Sequence, residues 1–143
     1  MKKTLFCLLM LATTVVNAQT TGIKKDSVIH IMLDEVSAKN IEATVRKLVS
    51  FQTRHTLSDT LSTKTGIGAA RNWIKAEFEK YAKESGGRLQ VSFDTFTQAA
   101  DGRRVTSPTI LKNVLAILPG TDPLDTRVFI VSGHYDSRAS DVL

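Results

Sequence analysis

The chain has 143 residues, 42% of them hydrophobic and 23% charged, a globular balance that excludes long disorder, collagen-like repeats and a multi-pass membrane protein. That length holds one ordinary domain, or two only if both are small. A single cysteine excludes a disulfide scaffold and any zinc finger built on cysteine pairs.

The formal charge of +5 includes Lys2 and Lys3, which fall in a removable segment; without them 17 basic side chains stand against 14 acidic ones, a net +3. The remaining basic residues are scattered, with neither the stripe nor the interleaved aromatics expected of a nucleic-acid binder. Glu77, Glu79, Lys80, Lys83 and Glu84 mix the two signs, the pattern of a solvated helix face. No nucleic-acid partner is expected.

Met1-Lys2-Lys3 is a positive n-region. The apolar run from Thr4 to Val16 is shorter than the ~20 residues that span a bilayer. Val16-Asn17-Ala18 presents small residues where a signal peptidase cuts, before Gln19. Residues 1–18 therefore read as a signal peptide in preference to a membrane anchor or a buried helix. The apolar run passes through Cys7 instead of leading up to it, against a lipoprotein site. Residues 19–143 are then an exported, cysteine-free chain, secreted or periplasmic, with no stable membrane insertion after cleavage.

Along that chain, Gln19 to Lys25 is polar and loose. From Ser27, a plausible N-cap, Val28, Ile29, Met32, Leu33 and Val36 fit a helical period, although Val28 to Leu33 also suits a strand. Ser37 caps a second expected helix, in which Ala38, Ile41, Val45, Leu48 and Val49 share a face to about Ser50. Phe51 to Thr65 reads as an extended loop. Gly66-Ile67-Gly68 leads into the clearest helix, with a stripe of Ala70, Trp73, Ile74, Phe78 and Tyr81 and a stop at Gly86-Gly87. Trp73 and Tyr81 are expected in the core.

Leu89, Val91 and Phe93 alternate with polar residues, the mark of a half-buried strand. The Asp101-Gly102 turn signal predicts a return strand near Arg104 to Thr106. Asn113 to Leu118 and Arg127 to Ser132 are nearly continuous apolar runs, suited to strands covered on both faces. The expected class is α/β, with amino-terminal helices packed on a mixed, mostly buried sheet.

Gly133-His134-Tyr135-Asp136-Ser137 follows the most apolar of these runs. Ligands of open α/β sheets gather beyond the carboxyl ends of strands. In an extended segment residues i and i+2 point to one side, so His134 and Asp136 can face one site together. An imidazole is a good zinc ligand, and a neighbouring carboxylate either binds metal or holds the other ring nitrogen. Three residues alone equally describe a solvated surface loop. His30, within a presumed helix, carries no special role, and His55 reads as a local hydrogen-bonding residue or as one shaping a pocket.

The longer pattern is more specific. Asn113-Val114-Leu115-Ala116-Ile117-Leu118-Pro119-Gly120 followed by Arg127-Val128-Phe129-Ile130-Val131-Ser132-Gly133-His134-Tyr135-Asp136-Ser137 resembles a segment of the secreted di-zinc aminopeptidases. That family includes bacterial leucyl aminopeptidases and is related to glutamate carboxypeptidase. Thr53-Arg54-His55 and the helix from Gly66 to Ile74 also look like its amino-terminal part, so the resemblance runs from about Ser27 to the last residue. It implies an exported exopeptidase that removes amino-terminal residues from peptides, using two zinc ions, with this chain its amino-terminal fragment. It implies His134 as a zinc ligand and Asp136 as the carboxylate that orients it, counted among the catalytic residues. The family's bridging aspartate, its paired glutamates, a further aspartate and a final histidine have no counterpart here; Asp141 lacks the surroundings of the bridge. The rivals are a secreted binding module without a reaction, and another exported metallohydrolase, such as a deacetylase, sharing only His-x-Asp.

Overall fold

The computed structural model describes residues 26–137; the expected leader, residues 1–18, and Asp141 lie outside the described residues. The chain divides between Ala38 and Lys39 into two units. Its class is α/β, as expected, with helices α1 (Ser27–Asp34), α2 (Ala38–Ser50) and α3 (Gly66–Glu84) followed by strands β1 (Gln90–Gln98) and β2 (Thr109–Ile117). Among the described residues no helix is long and apolar enough to cross a membrane.

Helix α1 belongs to the first unit. Ser27 is its first residue and not its cap: the Asp26 carboxylate accepts from Val28 N–H at 2.8 Å. A carboxylate at this position also complements the positive end of the helix. His30 is exposed on it.

In the second unit, the start of α3 is held by the preceding loop. The Thr65 side chain makes no capping bond. Instead Gly66 N–H donates to Phe51 O (2.9 Å), Ile67 N–H to Ser58 Oγ (2.9 Å) and Gly68 N–H to Asp59 O (3.0 Å). Three of the amides a helix leaves unpaired at its start are thus satisfied. The approach is close enough to require glycine. A Cβ on Gly68 would lie 2.5 Å from Thr60 O, and Gly66 has φ +76°, a region favouring residues without a Cβ.

This junction is also the core. Phe51, Ala69 and Ala70 are buried, with Leu48, Trp73 and Tyr135 packed against them. The Phe51 and Trp73 rings meet at 6.1 Å and 49°, a favourable tilted geometry. Trp73 therefore joins the core as expected, but Tyr81 is 58% exposed. The apolar stripe of α3 is covered only at its amino-terminal end; Phe78 is likewise exposed, as are Ile41, Val45 and Val49 on α2.

Strands β1 and β2 pair antiparallel with Val91 opposite Ala116 and Phe93 opposite Val114. The β1 alternation is realised: Val91 and Phe93 are half-buried and their neighbours exposed. Helix α3 packs on both strands, and the Lys75 and Lys112 ammonium groups sit 5.6 and 5.3 Å from the centre of the Phe93 ring.

Two expected strands are corrected. The return strand is Thr109–Ile117, not Arg104 to Thr106. The Asp101 carboxylate accepts from the amides of Arg103, Arg104 and Val105 at 2.8, 2.8 and 2.9 Å, so these donors are turned into a compact loop. Pro108, which has no N–H, then precedes the true strand. The run Arg127 to Ser132 forms no strand. It has no ladder partner among the described residues, and Val128, Phe129, Ile130 and Val131 are 81, 84, 85 and 99% exposed. An apolar run without a neighbouring strand gains neither backbone pairing nor burial. The sheet of the described residues is accordingly a two-stranded antiparallel ribbon, largely exposed, where a mixed and buried one was expected.

Candidate functional site

The segment Gly133–Ser137 has no regular secondary structure; it is held by side chains. Arg54 N–H donates to Ser137 Oγ at 2.9 Å, and Ser137 N–H returns a bond to Arg54 O at 3.0 Å. The Arg54 guanidinium donates from Nε to Tyr135 O at 2.9 Å and from a terminal nitrogen to Leu48 O at 2.5 Å. One charged fork therefore joins the end of α2 to the loop. Two residues on, Thr56 Oγ1 donates to Asp136 Oδ2 at 3.3 Å. On the opposite side Tyr135 OH donates to Lys112 O in β2 at 2.6 Å. The loop is pinned between the segment 54–56 and the sheet.

His134 and Asp136 come together as the i, i+2 spacing predicts, with His134 Nδ1 3.2 Å from Asp136 Oδ1. The imidazole is 96% exposed and the carboxylate 39%. With Nδ1 turned to the carboxylate, Nε2 is the nitrogen left for a metal or for water. One imidazole so oriented fits zinc, whose ligands include histidine nitrogen and carboxylate oxygen. Among the described residues no group of three His, Cys, Asp or Glu side chains stands together. His55 makes a local bond, its Nδ1 accepting from Leu57 N–H at 3.2 Å.

Beside the loop lies a cavity of about 400 Å³. Ile67, Phe96, Ile110 and Leu111 form its apolar wall, while Thr56, Arg71, His134, Tyr135 and Asp136 bring polar groups. Burial pushes the Tyr135 phenol above its ordinary value; the Arg71 charge pulls it back and the Asp136 charge raises it. Arg71 itself is only 9% exposed.

Arg54, Thr56 and Arg71 were not singled out in the sequence. Arg71 had a readable signal: it follows Ile67 by four and precedes Ile74 by three, so a cation occupies the apolar stripe of α3. Arg54 had none beyond its place in Thr53-Arg54-His55, because its partners in the loop, Tyr135 O and Ser137, lie more than 80 residues away in sequence.

A probable zinc metalloprotease of Pyrenophora teres f. teres is 50% identical to this chain over 119 residues, 82% of this chain and 24% of that protein. The chain is related to proteins named as zinc metalloproteases. A second, from Pyrenophora tritici-repentis, matches at 50% over 119 residues, and a third, from Leptosphaeria maculans, at 47% over 115 residues, 80% of this chain and 26% of that protein. The chain thus spans about a quarter of the length of these fungal relatives. No protein-family model matches the chain, and no solved structure matches it. The relatives' names extend to zinc and to proteolysis; the bacterial, di-zinc and aminopeptidase features of the resemblance are finer than those names.

Proposed function

We propose that this chain is part of an exported zinc-dependent exopeptidase that removes amino-terminal residues from peptides. The observation that carries the reading is the contact between His134 Nδ1 and Asp136 Oδ1, in a loop whose sequence resembles that of the secreted di-zinc aminopeptidases. Similarity to probable zinc metalloproteases over most of the chain supports it.

In this reading His134 would hold zinc through the ring nitrogen that Asp136 leaves free. Asp136 keeps the ring in place and favours the tautomer with its proton on Nδ1, raising the basicity of the ligating nitrogen. Thr56 fixes the carboxylate in turn, and Arg54 fixes the backbone on which both residues ride. When bound, zinc supplies charge stabilisation and lowers the pKa of water beside it. The remaining ligands, the second ion and the general base belong to the rest of the peptidase, since one His and one Asp fall short of the three protein ligands of a catalytic zinc site.

The test is a full-length protein carrying this stretch, offered two peptides that differ only in acetylation of the amino terminus. Release of the first residue from the free peptide alone, abolished by a chelator and restored by zinc, is the expected result. Internal cleavage of both peptides at equal rates overturns the exopeptidase reading.

A further inference from the structure

Arg71 is the residue for which the proposed reaction has no use. It is nine-tenths buried and lines the cavity beside the His134–Ser137 loop. Of its five donors, one is engaged among the described residues, a terminal nitrogen 3.1 Å from Thr60 O. Its Nε is buried with no partner. No carboxylate forms an ion pair with it among the described residues. Asp136, the carboxylate in the same lining, is already turned to His134 and Thr56. The Lys112 ammonium lies over the Phe93 ring, so among the described residues Arg71 is the buried cation that lines the cavity without a counter-charge.

A buried charge without a counter-charge is costly, and a ligand carboxylate would supply one to Arg71. A guanidinium presents a planar fork that fits a carboxylate with two parallel bonds. Ile67, Phe96, Ile110 and Leu111 supply an apolar part of the wall beside the polar groups of the loop, and about 400 Å³ is at the small end of the range for small-molecule sites.

We infer that this cavity is a binding site for a small carboxylic acid bearing an apolar group, such as the carboxyl-terminal residue of a short peptide, and that Arg71 holds its carboxylate. The cavity is also lined by His134 and Asp136, but the contact proposed is to Arg71 and needs no metal. Its failure therefore leaves the peptidase reading standing, and failure of that reading leaves the site intact.

Saturation-transfer NMR on a full-length protein carrying this stretch, in chelator, tests it with N-acetyl-leucine and N-acetyl-leucinamide as probes. The acid is expected to give at least a fivefold larger signal than the amide, and to be displaced by a second apolar carboxylic acid. In Arg71→Met the acid signal falls to that of the amide. In Arg71→Lys, which keeps the charge and loses the fork, it drops several-fold, so this variant decides if the methionine form fails to fold. Equal signals from acid and amide overturn the inference, as does an undiminished acid signal in Arg71→Lys. Displacement by inorganic phosphate as effective as by the second carboxylic acid would show a general anion site and overturn the carboxylate assignment.

Discussion

Arg54 Nε donates to the carbonyl oxygen of Tyr135 at 2.9 Å, and through this bond a residue just past α2 sets the position of a loop 81 residues away in sequence. The neighbouring nitrogen of the same guanidinium donates to Leu48 O. Hydrogen bonds from a charged donor are worth about 1.5–3 kcal/mol each. Arg54→Met should therefore free the loop, and limited proteolysis should cut between Gly133 and Ser137 at least tenfold faster than in wild type. Arg54→Lys should restore little, because an ammonium lacks the fork that reaches both carbonyls. Equal cleavage rates in all three proteins would contradict the role given to Arg54.

A second expectation concerns the glycines that start α3. Gly68→Ala would drive a Cβ to within 2.5–2.8 Å of the Thr60 backbone, an overlap that a backbone neighbour relieves only by moving. The cost expected of such overpacking is about 1–3 kcal/mol. Gly120→Ala, where nothing lies within 4 Å, serves as the control and should change stability little. The measurement is the urea midpoint of each variant; matching midpoints would show that the loop 51–60 does not press on the helix.

Much of this architecture is legible from residues alone, for reasons that are local. The period of Ala70 to Tyr81 and the Gly86-Gly87 stop mark α3, and the alternation from Leu89 to Phe93 marks β1. What escapes the sequence depends on partners distant along the chain. Arg127 to Ser132 reads as a buried strand because its side chains demand burial, yet a strand also needs a neighbour, and none pairs with it among the described residues. The Asp101 carboxylate outcompetes the ladder for the amides of Arg103 to Val105 and displaces the return strand toward Thr109. The i, i+2 relation of His134 and Asp136 is visible in the sequence; the Arg54 and Thr56 contacts that hold them are not, since neither spacing nor periodicity encodes a contact across 80 residues.

The Tyr135 phenol supplies a pH test. Its folded value is raised, first by burial, so the folded chain holds this proton more tightly than the unfolded one. The associated stability is complete below the ordinary tyrosine value of about 10 and is lost as pH rises through the raised one. Absorbance at the tyrosinate band should show a late titration step, together with loss of protection in the loop. Tyr135→Phe should abolish that step. A late step that survives in Tyr135→Phe would assign it elsewhere.

The exposed run Val128 to Val131 bears on solution behaviour. An apolar segment with unpaired backbone is a site of intermolecular strand pairing. The chain alone should associate at micromolar concentration, and Val128→Lys together with Ile130→Lys should delay this, read by light scattering. A sharp, cooperative thermal transition of a monomer without metal would argue for a self-sufficient module instead.

The most direct measurement of the central claim is zinc content per chain alongside hydrolysis of a leucyl anilide, in a full-length protein and in its His134→Ala and Asp136→Asn variants. His134→Ala should lose metal from one site and most of the activity. Asp136→Asn should keep more metal than His134→Ala yet turn over poorly, since removing a carboxylate that orients a ligand usually costs about 10–100-fold in affinity or activity. A His134→Ala protein with undiminished zinc and full activity would contradict the assignment of this loop to the metal centre.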